Sequence, residues 1–214
     1  MLSGDKKKMI KRYIERYNKF GYSPLSLGWG KGGRQEVRFS VLSEIGIQND
    51  SSVLDVGCGF CDLYDYLAEH NWKGRYVGID LVDDFLKHSK NRHSDLELYK
   101  MDILEENIED KFDFVVASGI FNYKLKDEEN YQYICKMLTK MASAAKVGVA
   151  ADFQSSYVDY QLPETFHAEP NRIFDLSHRI SKRIVLRHDY MPFEFAIYIF
   201  VNDRISDTNV FVTR

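Results

Sequence analysis

The stretch Val53-Leu54-Asp55-Val56-Gly57-Cys58-Gly59-Phe60-Cys61-Asp62 decides how the rest of the chain is read. It begins as a short apolar run, the pattern of a buried strand. Two glycines one residue apart break that run, and Leu63, Tyr66, Leu67 and His70 then recur at helical spacing. Strand, glycine turn and helix together make a cradle for a nucleotide-like ligand. The glycines let the backbone approach a ligand without a Cβ in the way. The helix N-terminus adds unpaired N–H groups and the positive end of a dipole.

Two ligand classes use such a turn. A dinucleotide site wants G-x-G-x-x-G, but its third glycine position is Asp62 here, which would face a pyrophosphate with like charge. The other pattern is an acidic residue two positions before G-x-G, and Asp55 stands there. The stretch resembles motif I of class I S-adenosylmethionine (SAM)-dependent methyltransferases, commonly D-x-G-C-G-x-G-D. One position departs from it: Cys61 replaces the usual third glycine and leaves less room beside the ligand. The resemblance implies that Asp55, Gly57, Cys58, Gly59 and Asp62 surround the cofactor.

With 214 residues, 44% hydrophobic and 29% charged, the chain suits one soluble α/β domain. Aromatics reach 14%, enough to line a pocket as well as fill a core. A net charge of −3 makes no electrostatic case for nucleic acid as a general partner. No apolar run is long enough for a membrane span, and no apolar segment follows the N-terminal lysines, so a cytoplasmic protein is expected. Cys58 and Cys61 form a C-x-x-C, but no further ligands stand at zinc-site spacing, and no metal is expected. Nothing in the sequence assigns an oligomeric state.

Residues 1–48 read as a helical appendage or lid, and 49–214 as the cofactor-binding core. Residues 5–20 form an amphipathic helix with Met9, Ile10, Tyr13, Ile14 and Tyr17 on one face. Its basic residues, Lys6 to Lys19, read as a solvated outer face. A glycine-rich loop from Gly21 to Gly33 follows, then a helix from about Arg34 to Ile45. Such loops often close over ligands. Trp29, Gln35 and Arg38 are expected where this lid meets the cavity, Arg38 toward the cofactor and Trp29 toward the acceptor.

The second strand, Arg75 to Ile79, ends at Asp80. An acidic residue there accepts hydrogen bonds from ribose hydroxyls in Rossmann-like folds, and Leu81 follows it. A helix spans Val82 to Arg92, and a third strand Leu96 to Lys100. The resemblance implies that Asp102 takes the adenine amino group and that Ile103 covers a ring face. A buried fourth strand begins at Phe112 and leaves through Ser118 and Gly119, beside the methionine part of the cofactor. Its exit lacks the Asn/Asp-Pro-Pro-Tyr of enzymes that methylate amino groups of DNA bases or glutamine amides. Tyr123 begins the acceptor side.

A helix from Glu128 to Ala144 precedes a fifth strand that begins at Lys146 to Ala150 and leads to Ala151-Asp152-Phe153. The aromatic segment Gln154 to Asn171, with Tyr157 and His167, reads as a second pocket wall. After a short helix, Arg172 to Ser181, come strands Arg183 to Asp189 and Phe193 to Asn202, joined by Tyr190-Met191-Pro192. Val210-Phe211-Val212 lies near the end. The expected architecture is a Rossmann-like, seven-stranded, mostly parallel sheet with an antiparallel C-terminal strand and helices on both faces. The expected activity is SAM-dependent methyl transfer to a small molecule. The alternatives are RNA or protein methylation, or a non-catalytic SAM-binding subunit. Candidate bases are His167 and His188, with Asp189 and Glu194 also near and Tyr190 on the acceptor. His188 is preferred, because a strand end holds a side chain more rigidly than a loop does.

Overall fold

Val53–Val56 (β1) is buried at all four residues, as its unbroken apolar character requires of a central parallel strand. It pairs in parallel with Tyr76–Asp80 (β2) on one side and Phe112–Ala117 (β4) on the other. Glu97–Lys100 (β3), Ala145–Gln154 (β5), Arg183–Met191 (β6) and Glu194–Phe200 (β7) complete a seven-stranded sheet, ordered β3-β2-β1-β4-β5-β7-β6. Only β7 runs antiparallel to its neighbours. The computed structural model describes residues 1–29, 34–126 and 129–202. Gly30 to Gly33 of the glycine loop, Glu128 at the expected helix start and Val210 to Val212 lie outside the described residues.

Strand order reverses between β1 and β4, which opens a crevice at their carboxyl ends. One face of the sheet carries Arg34–Ser43 (α2), Asp62–Glu69 (α3) and Asp83–Arg92 (α4), which bury Phe39, Leu63 and Leu86. The other carries Asn130–Ala144 (α5) and Pro170–His178 (α6), which bury Ile134, Leu138 and Ile173. Ser3–Phe20 (α1) lies over the crevice, with Tyr13, Ile14 and Tyr17 packed against Phe60, Val82 and Phe85. Its buried Asp5 accepts the Lys126 backbone N–H at 3.0 Å and so ties the helix to the core. No helix of the described residues is long and apolar enough to cross a membrane.

Two boundaries differ from expectation for one reason. β5 runs on past Ala150 to Gln154, because β7 continues the ladder past the last parallel partner, pairing Asp152 with Ala196 and Gln154 with Glu194. β6 likewise runs on to Met191, which pairs with Glu194 across a tight Pro192-Phe193 turn. Tyr190 therefore belongs to a strand and not to the hairpin tip.

Candidate active site

At the end of β1 the chain turns through Gly57 with φ +77°, where an added Cβ would meet the Ile120 side chain at 2.3 Å. Cys61 also adopts the left-handed region, φ 61°, which accounts for a glycine being usual there. Its side chain is fully buried among core residues. The turn is held by Asp80, whose carboxylate accepts the Gly59 N–H at 2.9 Å and the Val82 N–H at 2.8 Å. Burial raises the Asp80 pKa, and these backbone bonds oppose the rise. Asp55 is 3% exposed and accepts the Tyr76 hydroxyl at 2.6 Å. Burial pushes its pKa up to about 7.

Every residue expected around the cofactor, except Arg38, lines one inner cavity of about 120 Å³. This set includes Leu81, Asp102, Ile103, Ser118 and Gly119. The cavity follows the carboxyl ends of β1, β2 and β4, and Met9 and Tyr13 of α1 roof it. Lys6 of α1 pairs with Asp102 at 2.7 Å and with Glu105 at 2.8 Å. The set suits a nucleoside carrying an amino acid: acidic side chains at the β2 and β3 ends, an apolar ring face at Ile103, and a Cβ-free wall at Gly57.

A second, outer cavity of about 1400 Å³ adjoins it. Arg38, Trp29, Tyr123, Tyr157 and His167 line it, with Gln154, Phe193 and Glu194. Trp29 and Gly119 line both cavities, as do Tyr13, Leu27, Gln35, Phe39 and Asp62, so these residues form the partition. An added Cβ at Gly119 would lie 2.7 Å from the Trp29 ring. Asp62 sits at this junction with its carboxylate fully engaged, accepting from the Tyr22 hydroxyl and the Gln35 amide, each at 2.9 Å.

The two histidines have separate surroundings. His167 Nδ1 lies 2.9 Å from the Ser155 carbonyl oxygen. A carbonyl only accepts, so Nδ1 carries the proton and Nε2 of the neutral ring keeps its lone pair. That Nε2 is buried and has no partner among the described residues. His188 lines neither cavity; its ring packs 6.0 Å from Phe195 and 6.0 Å from Tyr157. Asp189 is exposed and paired with Arg187 at 2.8 Å. Tyr190 also lines neither cavity, since its place in β6 turns the ring onto the α2 side of the core.

Arg38 stacks over the Trp29 ring at 3.8 Å and forms a bidentate pair with Glu194. Both partners are buried, and the Gln154 amide also donates to Glu194 at 2.6 Å. Beside them Asp152 accepts the Ser118 hydroxyl at 2.6 Å and the Gly119 N–H at 2.7 Å. Burial pushes its pKa up to about 6. Sequence reasoning passed over Asp152 as a strand-end residue. The available signal was a lone carboxylate between Ala151 and Phe153 in an apolar strand, since a buried charge needs partners. Lys6, read as part of a solvated face, is likewise a contact of the inner cavity's wall.

A family model described as a methyltransferase domain matches residues 54–148. The chain is 33% identical over 153 residues to the Mycobacterium tuberculosis protein named "Putative methyltransferase Rv1506c", covering 69% of this chain and 92% of that protein. In fold it is similar to magnesium protoporphyrin IX methyltransferase from Synechocystis PCC 6803 with bound SAH (S-adenosylhomocysteine). The TM-score is 0.65 at 14% identity, over 92% of this chain and 100% of that one. A SAM-dependent methyltransferase from Clostridium acetobutylicum aligns with a TM-score of 0.64 at 15% identity, over 86% and 98%.

Proposed function

Because the chain belongs to the class I SAM-dependent methyltransferases and takes SAM as its cofactor, we propose that it methylates a small-molecule acceptor held in the outer cavity. One observation carries this reading: His167 borders that cavity in the tautomer whose free nitrogen can accept a proton. The bound cofactor supplies a methyl carbon on a positively charged sulfur. Tyr123, Tyr157 and Trp29 line that cavity and supply aromatic surface to an acceptor. His167 Nε2 takes the proton from the acceptor's nucleophilic atom, and the Ser155 carbonyl steadies the ring as its charge rises.

Residues 1–48 act as the lid in this reading. Tyr22 and Gln35 grip Asp62 at one end of the inner cavity, and Lys6 grips Asp102 at the other. The test is to follow a radiolabelled methyl group from SAM in extracts divided into small-molecule, RNA and protein fractions. Label is expected among the small molecules. Label in RNA or protein would overturn the acceptor class, and transfer to none of them would favour a non-catalytic subunit.

A further inference from the structure

The cluster behind Gly119 contains three charges whose balance is uneven. Arg38 meets Glu194 through two nitrogens, so those charges cancel. Asp152, 2% exposed, has no cation in hydrogen-bond contact among the described residues; only Ser118 and Gly119 donate to it. From β6, the buried Tyr190 hydroxyl faces the same cluster and has no hydrogen-bond partner among the described residues. One net negative charge therefore remains in a water-poor site.

We propose that Asp152 makes the protein discriminate between SAM and its demethylated product by holding this unpaired charge directly behind Gly119. The proposal rests on the cofactor assignment and is independent of which acceptor is methylated. A methyl group passing from the inner cavity to the outer one crosses the shared boundary, to which Trp29 and Gly119 both contribute. In this proposal the cofactor's sulfur lies on the Gly119 side of that boundary, where the Gly119 N–H donates to Asp152 at 2.7 Å. SAM bears a positive charge on that sulfur and the product bears none. A fixed negative charge at this position attracts the first ligand and is indifferent to the second.

The consequence is selective binding rather than a faster chemical step. Positive charge on the sulfur fades during transfer, so an attraction to it holds the reactant state more than the transition state. It favours replacement of spent product by fresh cofactor. Burial pushes the Asp152 pKa up to about 6, so the discrimination is expected to be lost on acidification. The charged and titratable groups facing it are Arg38 from α2, Glu194 from β7 and Tyr190 from β6.

The test measures SAM and SAH affinities by calorimetry, well below and well above pH 6, for the wild type, Asp152→Asn and Glu194→Gln. In the wild type the ratio of SAM to SAH affinity is expected to fall about tenfold on acidification. Asp152→Asn, which keeps shape and hydrogen-bonding capacity, is expected to show the low-pH ratio at every pH. Glu194→Gln leaves Arg38 uncompensated beside Asp152 and is expected to shift the step to lower pH. Equal weakening of both ligands by Asp152→Asn would reduce Asp152 to a brace for the Ser118–Gly119 turn and overturn the proposal. If that variant fails to fold, the wild-type step and its displacement in Glu194→Gln decide, and a flat ratio overturns the proposal. Absence of binding by both ligands would instead strike the cofactor assignment, and the proposal with it.

Discussion

The inner and outer cavities share a partition but are built in opposite ways. The inner one is made largely of strand ends: Gly57 and Gly59 after β1, Asp80 at the end of β2, Asp102 after β3 and Ser118 after β4. Each lies within a few residues of a parallel strand that fixes its position. The outer one draws on segments distant in sequence, among them the loop at Trp29, the stretch from Gln154 to His167 and the hairpin tip at Pro192 to Glu194, with helical residues of α1, α2 and α3 beside them. Its members are held by side-chain pairs such as Arg38–Glu194, 156 residues apart. A ligand common to a whole family can be served by local motifs. A ligand particular to one enzyme is met by long-range assembly.

The sharpest way to break this comparison is at the histidines. His167→Gln is expected to slow methyl transfer by about 10²–10⁴-fold, the usual loss for a positioned base, with SAH affinity unchanged. His188→Gln is expected to keep most activity, because His188 borders neither cavity. Turnover and calorimetry on both variants check this. The reverse result would return the proton-accepting role to the β6 strand end.

Within the inner cavity, Asp80→Ala is expected to weaken SAH binding by about 100-fold. That follows from losing charge-assisted hydrogen bonds worth about 1.5–3 kcal/mol each. The same change frees the Gly59 and Val82 N–H groups that Asp80 now holds. A merely structural role would lower thermal stability while sparing affinity in the folded variant, so both quantities need measuring.

These expectations also mark what was legible. Asp55, Asp80 and Asp102 could be placed at one cavity because the resemblance in motif I and the order of the strands mark the carboxyl ends from which they emerge. Tyr190 and His188 could not, because their direction depended on where the hairpin turned. The turn lies at Pro192-Phe193, and its register is set by pairing with β5, a strand about forty residues away. Asp152 was hidden for a related reason: nothing local distinguishes the last residue of a parallel strand from one that an antiparallel neighbour extends. The C-x-x-C was read correctly as part of a glycine turn, yet only the structure shows Cys61 in a glycine-like conformation.

A smaller effect separates the two regions by pH. Asp55 at the inner cavity and Asp152 behind the partition are buried carboxyls raised to about 7 and about 6. A carboxyl raised on folding adds stability that is complete below its unfolded pKa, about 4, and is lost as pH climbs through the folded value. The ligand-free protein is therefore expected to lose a few degrees of melting temperature between about pH 4 and about pH 7. Asp152→Asn should flatten the part of that decline near pH 6, and Asp55→Asn the part near pH 7. A melting temperature that rises across this window would contradict both assignments.

The smallest expected effect concerns Lys6, which belongs to the lid and to neither wall. Its ammonium occupies the Asp102 carboxylate, the group expected to meet the adenine amino group. Cofactor and lysine then compete for one acceptor. Lys6→Ala removes the competitor, so SAH affinity is expected to rise by about two- to fourfold. The ion pair it loses is largely shielded, with side chains 19% and 9% exposed, so the cost in stability is expected at about 1–3 kcal/mol. Added salt provides an independent check, since screening weakens the pair. Rising salt should strengthen SAH binding to the wild type and leave Lys6→Ala unchanged. Weaker binding by Lys6→Ala would mean that the lysine stays in place over the bound ligand, and the inner cavity would then have a wall that no strand end supplies.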